Sequence, residues 1–191
     1  MCLALIVCFS FIVPTKNEKW VLTSGCTLKV DGSTNINKFT CDISDYSSPD
    51  TISQFNYDNA HKLFPLKGVL NIEVNAFNCH NPLMTSDLRK TLKAKEYPRL
   101  KINFISLKEL PDNKKINQKT TGLVDIELSG VVKRFEVEYT FKSDEPGLVI
   151  ATGLRQVTFT DFNLVPPRKL GGMIRTNDAL LISFHLRMKT I

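Results

Sequence analysis

Cysteine is scarce in this chain: five in 191 residues. That is too few for a cystine-stapled scaffold, and a chain of this length can bury enough apolar surface to fold without one. Long apolar runs are scarcer still. The longest, residues 1–13 (MCLALIVCFSFIV), falls well short of the roughly 20 residues that a membrane-crossing helix needs. The three histidines, His61, His80 and His185, are scattered, and no pair has metal-ligand spacing such as HxH or HExxH. No serine sits in a GxSxG elbow, and no cysteine has a partner histidine in a recognisable motif. Gly171-Gly172 follows Pro166-Pro167-Arg168-Lys169 without the strand–loop–helix context of a phosphate cradle, so it reads as a long hairpin loop. Asp87 and Arg89 read as a solvated helical face. No catalyst and no cofactor site can be assembled from these residues. Lysines and arginines are spread along the whole chain, which argues against a nucleic-acid footprint. A net charge of +6 still permits contact with an anionic membrane surface.

What is present begins with the 1–13 run, uncharged and closed by Pro14, Lys16, Glu18 and Lys19. Its length fits the apolar core of a secretory signal peptide, although no Lys or Arg precedes it. The expectation is an exported protein, soluble after signal removal, with one folded domain over residues 20–191. Lipoprotein readings at Cys8 (after Leu5-Ile6-Val7) and Cys26 (after Ser24-Gly25) fit less well.

From Trp20 onward, apolar and polar residues alternate with period two, the mark of half-buried strands. Segment 69–77 (VLNIEVNAF) sets Leu70, Ile72, Val74 and Ala76 against Asn71, Glu73 and Asn75. Segment 100–106 does the same with Leu100, Ile102 and Phe104, and 123–129 with Val124, Ile126 and Leu128. Phe135, Val137, Tyr139 and Phe141 alternate with charged or polar residues in 134–142, and 178–189 places Leu180, Ile182, Phe184, Leu186 and Met188 on one face. Residues 27–30, 38–43, 51–57 and 148–159 are weaker candidates. Turn pairs such as Asp31-Gly32, Ser129-Gly130 and Pro146-Gly147 separate them. The pattern predicts an all-β fold of about eight antiparallel strands. Closure into a barrel hides the edges most simply; a sandwich is the alternative.

One helix interrupts the strands over about residues 82–94 (PLMTSDLRKTLKA), with Asn81 as N-cap and Pro82 in the first turn. It should pack over an open end of the barrel. Closure would turn Leu70, Ile72, Val74, Ile102, Phe104, Val124, Ile126, Phe135, Val137, Tyr139, Ile182 and Phe184 inward, as the lining of a lumen. Tyr139 is the polar handle among them, so its hydroxyl is expected near a barrel mouth, a water or a ligand oxygen.

Cys26, Cys41 and Cys79 remain after export. Cys41 with Cys79 is favoured, since Phe39-x-Cys41 and Phe77-x-Cys79 end strands that could lie side by side. Cys79 has the outward parity of Glu73 and Asn75, however, so Cys26 with Cys41 stays open.

The run VNAFNCHNPLMTSDLRKTLKAKEYPRLKINF (74–104) resembles the signature of the YceI-like family, with Asp87, Leu92, Tyr97-Pro98 and Phe104 at matching places. GLVDIELSGVVKRFEVEY (122–139) resembles its glycine-centred hairpin, and VTFTDFNL and DALLISFHL its closing strands. The resemblance implies a lipocalin-like, eight-stranded barrel of the Gram-negative periplasm. It also implies an apolar lipid ligand, such as an isoprenoid chain, held in the lumen without catalysis. The chain departs from the family in a longer, more polar segment 44–64 and in a helix without histidine. A packed barrel that binds a protein partner through its loops is the alternative.

Export has a direct check. N-terminal sequencing of the protein from the periplasmic fraction of its host should begin beyond residue 13; an intact Met1 in the cytoplasm contradicts it.

Overall fold

A computed structural model of the chain describes residues 18–112, 117–143 and 145–191. The expected signal core, 1–13, lies outside the described residues. The strands are β1 (Lys19–Leu22), β2 (Cys26–Ser33), β3 (Lys38–Tyr46), β4 (Thr51–Gln54), β5 (Phe64–Glu73), β6 (Arg99–Leu107), β7 (Gln118–Leu128), β8 (Val131–Lys142), β9 (Leu148–Thr158), β10 (Arg168–Lys169), β11 (Ile174–Arg175) and β12 (Ala179–Thr190). One α-helix, α1 (Pro82–Thr91), stands between β5 and β6.

The sheet closes on itself through β12. Along one edge β12 pairs with β9; along the other it pairs with β2 over Leu181–His185 and with β1 over Met188–Thr190. β1 and β2 therefore act as two halves of one stave, and β4 and β3 pair with those halves in turn. The result is an eight-stranded closed antiparallel barrel, so the barrel and not the sandwich is the solution adopted. β10 and β11 form a separate hairpin ribbon around Leu170–Gly172, the loop that the Gly-Gly pair foretold. Period-two alternation is visible in burial: in β8, Phe135, Val137, Tyr139 and Phe141 are buried while Arg134, Glu136 and Glu138 are exposed. The outward faces carry ion pairs between neighbouring strands, such as Arg134 Nε to Asp125 Oδ1 at 2.7 Å. That guanidinium lowers the Asp125 carboxyl below its usual range.

Helix α1 begins as its sequence predicts. The Asn81 side-chain oxygen accepts from the amides of Leu83 and Met84 at 3.0 and 3.1 Å, and Pro82 occupies the first turn. It ends three residues early, at Thr91, because Leu92 leaves helical geometry and Lys93 turns the chain with φ of 52°. Leu92 still packs on the barrel core. Asp87 and Arg89 do not form a solvated face. The Asp87 carboxylate pairs with the Lys169 ammonium, and Arg89 donates to the carbonyls of Asn75 and Phe77.

The disulfide joins Cys41 and Cys79, leaving Cys26 as a buried thiol. The outward parity of Cys79 is cancelled by a 3-10 turn at Val74–Ala76, which ends β5 at Glu73 and resets the phase of the chain. Asp42 and Asn78 then exchange both backbone hydrogen bonds at 2.9 Å, so Cys41 and Cys79 face each other one pair further on. Burial raises the Cys26 pKa, and its sulfur donates to the Thr23 carbonyl at 3.1 Å.

With a sequence separation of 38 between the bridged cysteines, the cross-link is worth about 4 kcal/mol in the chain-entropy model. Cys41→Ser/Cys79→Ser should lower the urea midpoint correspondingly, and reductant should then have no further effect. A variant as stable as the oxidised wild type would show that the bridge does not constrain the unfolded chain.

Candidate functional site: the barrel lumen

The inward side chains of β5, β6, β7, β8 and β12 meet in register. Ile102 stands opposite both Leu70 and Ile126, Phe104 opposite Val124, and Phe184 opposite both Gly153 and Leu28. They leave two small, partly enclosed apolar voids, of about 40 and about 60 Å³. Leu28, Ile102, Ile126 and Ile182 form the wall common to both. A surface groove of about 210 Å³ lies between α1, the β2–β3 hairpin and the β10–β11 ribbon. It shares Leu88 and Phe159 with the larger void, so the groove and that void adjoin across these two side chains.

Ten of the twelve residues that the alternation turned inward border these voids. Val74 and Phe135 do not. Val74 is fully buried in the 3-10 turn, and Phe135 packs against Phe162 with ring centroids 6.0 Å apart. The lining also includes residues that the pattern did not single out: Cys26, Leu28 and Tyr46 near the smaller void, and Leu88, Leu92 and Phe159 near the larger. These come from short or weakly alternating segments and from the helix.

Arg155 is the charged residue of the lining. β8 and β9 pair only as far as Glu138 and Leu154; beyond that point they part. Arg155 follows Gly153 on the inward parity of β9, ahead of buried Val157, and borders the smaller void. Its side chain turns into the seam, where Nη1 donates to the Glu136 carbonyl at 3.2 Å. The guanidinium lies 5.3 Å from the centre of the Phe135 ring. The cation thus satisfies a carbonyl that β9 leaves unpaired. The parity of Ala151, Gly153 and Val157 carried this signal in a segment read only as a weak strand.

Tyr139 is buried, stacked on Phe141 at 5.9 Å and edge-on to Phe184 at 5.6 Å. Its hydroxyl has no hydrogen-bond partner among the described residues, and burial pushes its pKa far above the usual tyrosine range. Tyr46 also borders the smaller void; burial, and then its hydrogen bond to Asp50, push its pKa up to about 12. The histidines lie elsewhere: His61 on Asp58 at 2.7 Å and His80 on Asp42 at 2.8 Å, both exposed, with His185 on β12.

These voids are small. An engineered cavity of roughly 150 Å³ accepts one benzene, so a long chain enters this lumen only by displacing side chains. Phe184 packs directly on Gly153: its ring fills the place that a Cβ there would occupy, 1.9 Å from that position.

No family model matches the sequence, and no curated protein matches it. Solved structures do match the fold. A polyisoprenoid-binding domain from Saccharophagus degradans, implicated in plant cell wall breakdown, superposes with a TM-score of 0.60 at 10% identity, covering 92% of this chain and 100% of that one. BcnA from Burkholderia cenocepacia gives 0.58 at 15% identity, covering 85% and 95%. A Campylobacter jejuni YceI protein gives 0.53 at 15% identity, covering 71% and 79%. The chain has the barrel fold of these YceI-like proteins.

Gly153→Ala should force the Phe184 ring aside and cost about 1–3 kcal/mol of stability in urea denaturation. An unchanged midpoint would mean that Phe184 does not rest on Gly153.

Proposed function

We propose that this barrel binds and carries one long apolar chain of the isoprenoid kind in its lumen and performs no covalent chemistry on it. The observation that carries this reading is the pair of apolar voids in the barrel, the larger adjoining the helix-capped groove. The fold shared with a polyisoprenoid-binding domain supports it. The residues proposed to line the ligand are Leu70, Ile72, Ile102, Phe104, Val124, Ile126, Val137, Tyr139, Ile182 and Phe184. Val74 and Phe135 stand behind them. Tyr139 and Arg155 are the polar handles for the oxygen-bearing end of such a lipid.

Magnitudes decide the length of the chain. Each buried CH₂ contributes about 0.8 kcal/mol, whereas association costs at least about 4 kcal/mol. About five carbons therefore reach break-even before any side chain has moved. Only a chain several times longer gains enough to open the lumen. We propose that the protein works outside the cytoplasm, in the Gram-negative periplasm; the Cys41–Cys79 bridge, which is at home in an oxidising space, supports export.

The small volume of the voids favours a second reading, a packed barrel that meets a protein partner through its loops. Lipid extraction and native mass spectrometry separate the two. The carrier should yield about one apolar lipid per chain, and long-chain polyprenol at a hundred times its Kd should stabilise the stripped protein by about 2.7 kcal/mol. Val137→Phe should cut lipid occupancy, while Glu138→Ala on the outward face leaves it unchanged. A wild type that carries no lipid, and melts at the same temperature with or without polyprenol, overturns the carrier reading.

A further inference from the structure

The groove end of the barrel presents a surface that neither the lumen nor the fold requires. Five of the most solvent-open large apolar side chains gather there: Val165 and Met173 at 75%, Leu170 at 70%, Ile36 at 66% and Leu83 at 63%. They come from three segments held together by specific contacts. The Asn35 side-chain nitrogen donates to the Met173 carbonyl at 3.0 Å, and the Arg175 amide donates to the Asn35 side-chain oxygen at 2.9 Å. Lys169 pairs with Asp87 and so ties the ribbon to α1. At the ribbon tip, Leu170, Gly171 and Gly172 all take positive φ, a tight loop that leaves Leu170 and Met173 outside the core.

Charge gathers at the same end. Segments 33–39, 80–91 and 163–177 contain six Lys or Arg residues, Lys38, Arg89, Lys90, Arg168, Lys169 and Arg175, and the acid Asp87. Three more acids stand at their borders, Asp42 on His80 at 2.8 Å and Asp161 and Asp178 just outside 163–177, and the cations remain in excess. Exposed apolar tips set among cations suit the boundary of an anionic bilayer, where side chains enter the acyl region and ammonium or guanidinium groups meet lipid phosphates. A second copy of the chain fits poorly, because two such faces would repel each other.

We propose that this face, formed by the β2–β3 hairpin tip, the start of α1 and the β10–β11 ribbon, docks on an anionic lipid bilayer. The groove it frames shares Leu88 and Phe159 with the larger lumen void. Docking there would let an apolar chain pass between membrane and barrel without crossing water. That last step rests on the carrier reading; the docking itself does not.

The test is flotation of the full protein with vesicles of phosphatidylcholine alone or mixed with phosphatidylglycerol. Binding is expected to the mixed vesicles only, and to fall roughly tenfold or more as salt rises to about 1 M. Leu170→Ser/Met173→Ser and Arg168→Glu/Arg175→Glu should each weaken it, since all four residues are exposed and their replacement should leave the fold intact by circular dichroism. Leu154→Ser, exposed on the barrel wall at 47%, should leave binding unchanged. Three results overturn the proposal: no binding to the mixed vesicles, equal loss with Leu154→Ser, or self-association in sedimentation velocity that the ribbon variants abolish. Lipid content of the purified protein is measured alongside. Docking by a barrel that carries no lipid would refute the carrier reading alone; a lipid-loaded barrel that ignores vesicles would refute docking alone.

Discussion

Closure through β12 is the constraint on which the other features depend. A long antiparallel meander leaves two edges of unpaired amides and carbonyls, which invite pairing with other chains. Here the second edge of β12 is shared by β1 and β2 end to end, and the meander closes, with β3 paired to β2 and joined beyond it by the Asp42–Asn78 bridge. Closure also assigns the two faces of every strand at once. One parity becomes core and the other becomes a wall of cross-strand ion pairs such as Lys101 with Glu127 at 3.0 Å. The hydrophobic lining is thus a consequence of topology acting on period-two sequence.

An eight-stranded barrel is near the width at which side chains alone can fill it. This one is nearly filled. Aromatic rings cover places where the backbone lacks a side chain, as Phe184 does over Gly153, and the remaining voids are small. Opening such an interior means moving a few large side chains, not unfolding strands. At the seam between β8 and β9 the ladder stops short, and a guanidinium takes its place. A side-chain hydrogen bond to one carbonyl holds less than a run of paired backbone, so the strength of the wall is not uniform.

Much of this was legible in the sequence. Strong alternation in 69–77, 100–106, 123–129, 134–142 and 178–189 located β5, β6, β7, β8 and β12 and ten of the residues that border the voids. Asn81-Pro82 located the start of α1. What was not legible depended on local breaks in period or on distance. A three-residue 3-10 turn at Val74–Ala76 reversed the parity of Cys79, and the same turn moved Val74 away from the voids. Lys93, with positive φ, shortened the helix by a turn that residue spacing does not encode. Arg155 looked like any polar residue of a weak strand until the parting of β8 and β9 gave its inward parity an outlet.

The basic end shows the same limit at larger scale. Read along the chain, lysines and arginines are dispersed, and that dispersal argued against a nucleic-acid footprint while leaving contact with an anionic membrane surface open. In three dimensions, segments far apart in sequence converge on one rim, where cations outnumber acids. The apolar tips on that rim are costly to leave in water, at about 25 cal/mol for each Å² of apolar surface, and nothing in the barrel's own packing requires them to be there. Their number and their cationic surroundings are independent features of the sequence that coincide at the end where an apolar groove adjoins the larger void. A fold needing only to seal its core would have placed polar residues at those loop tips, as it does along the outer faces of β7 and β8.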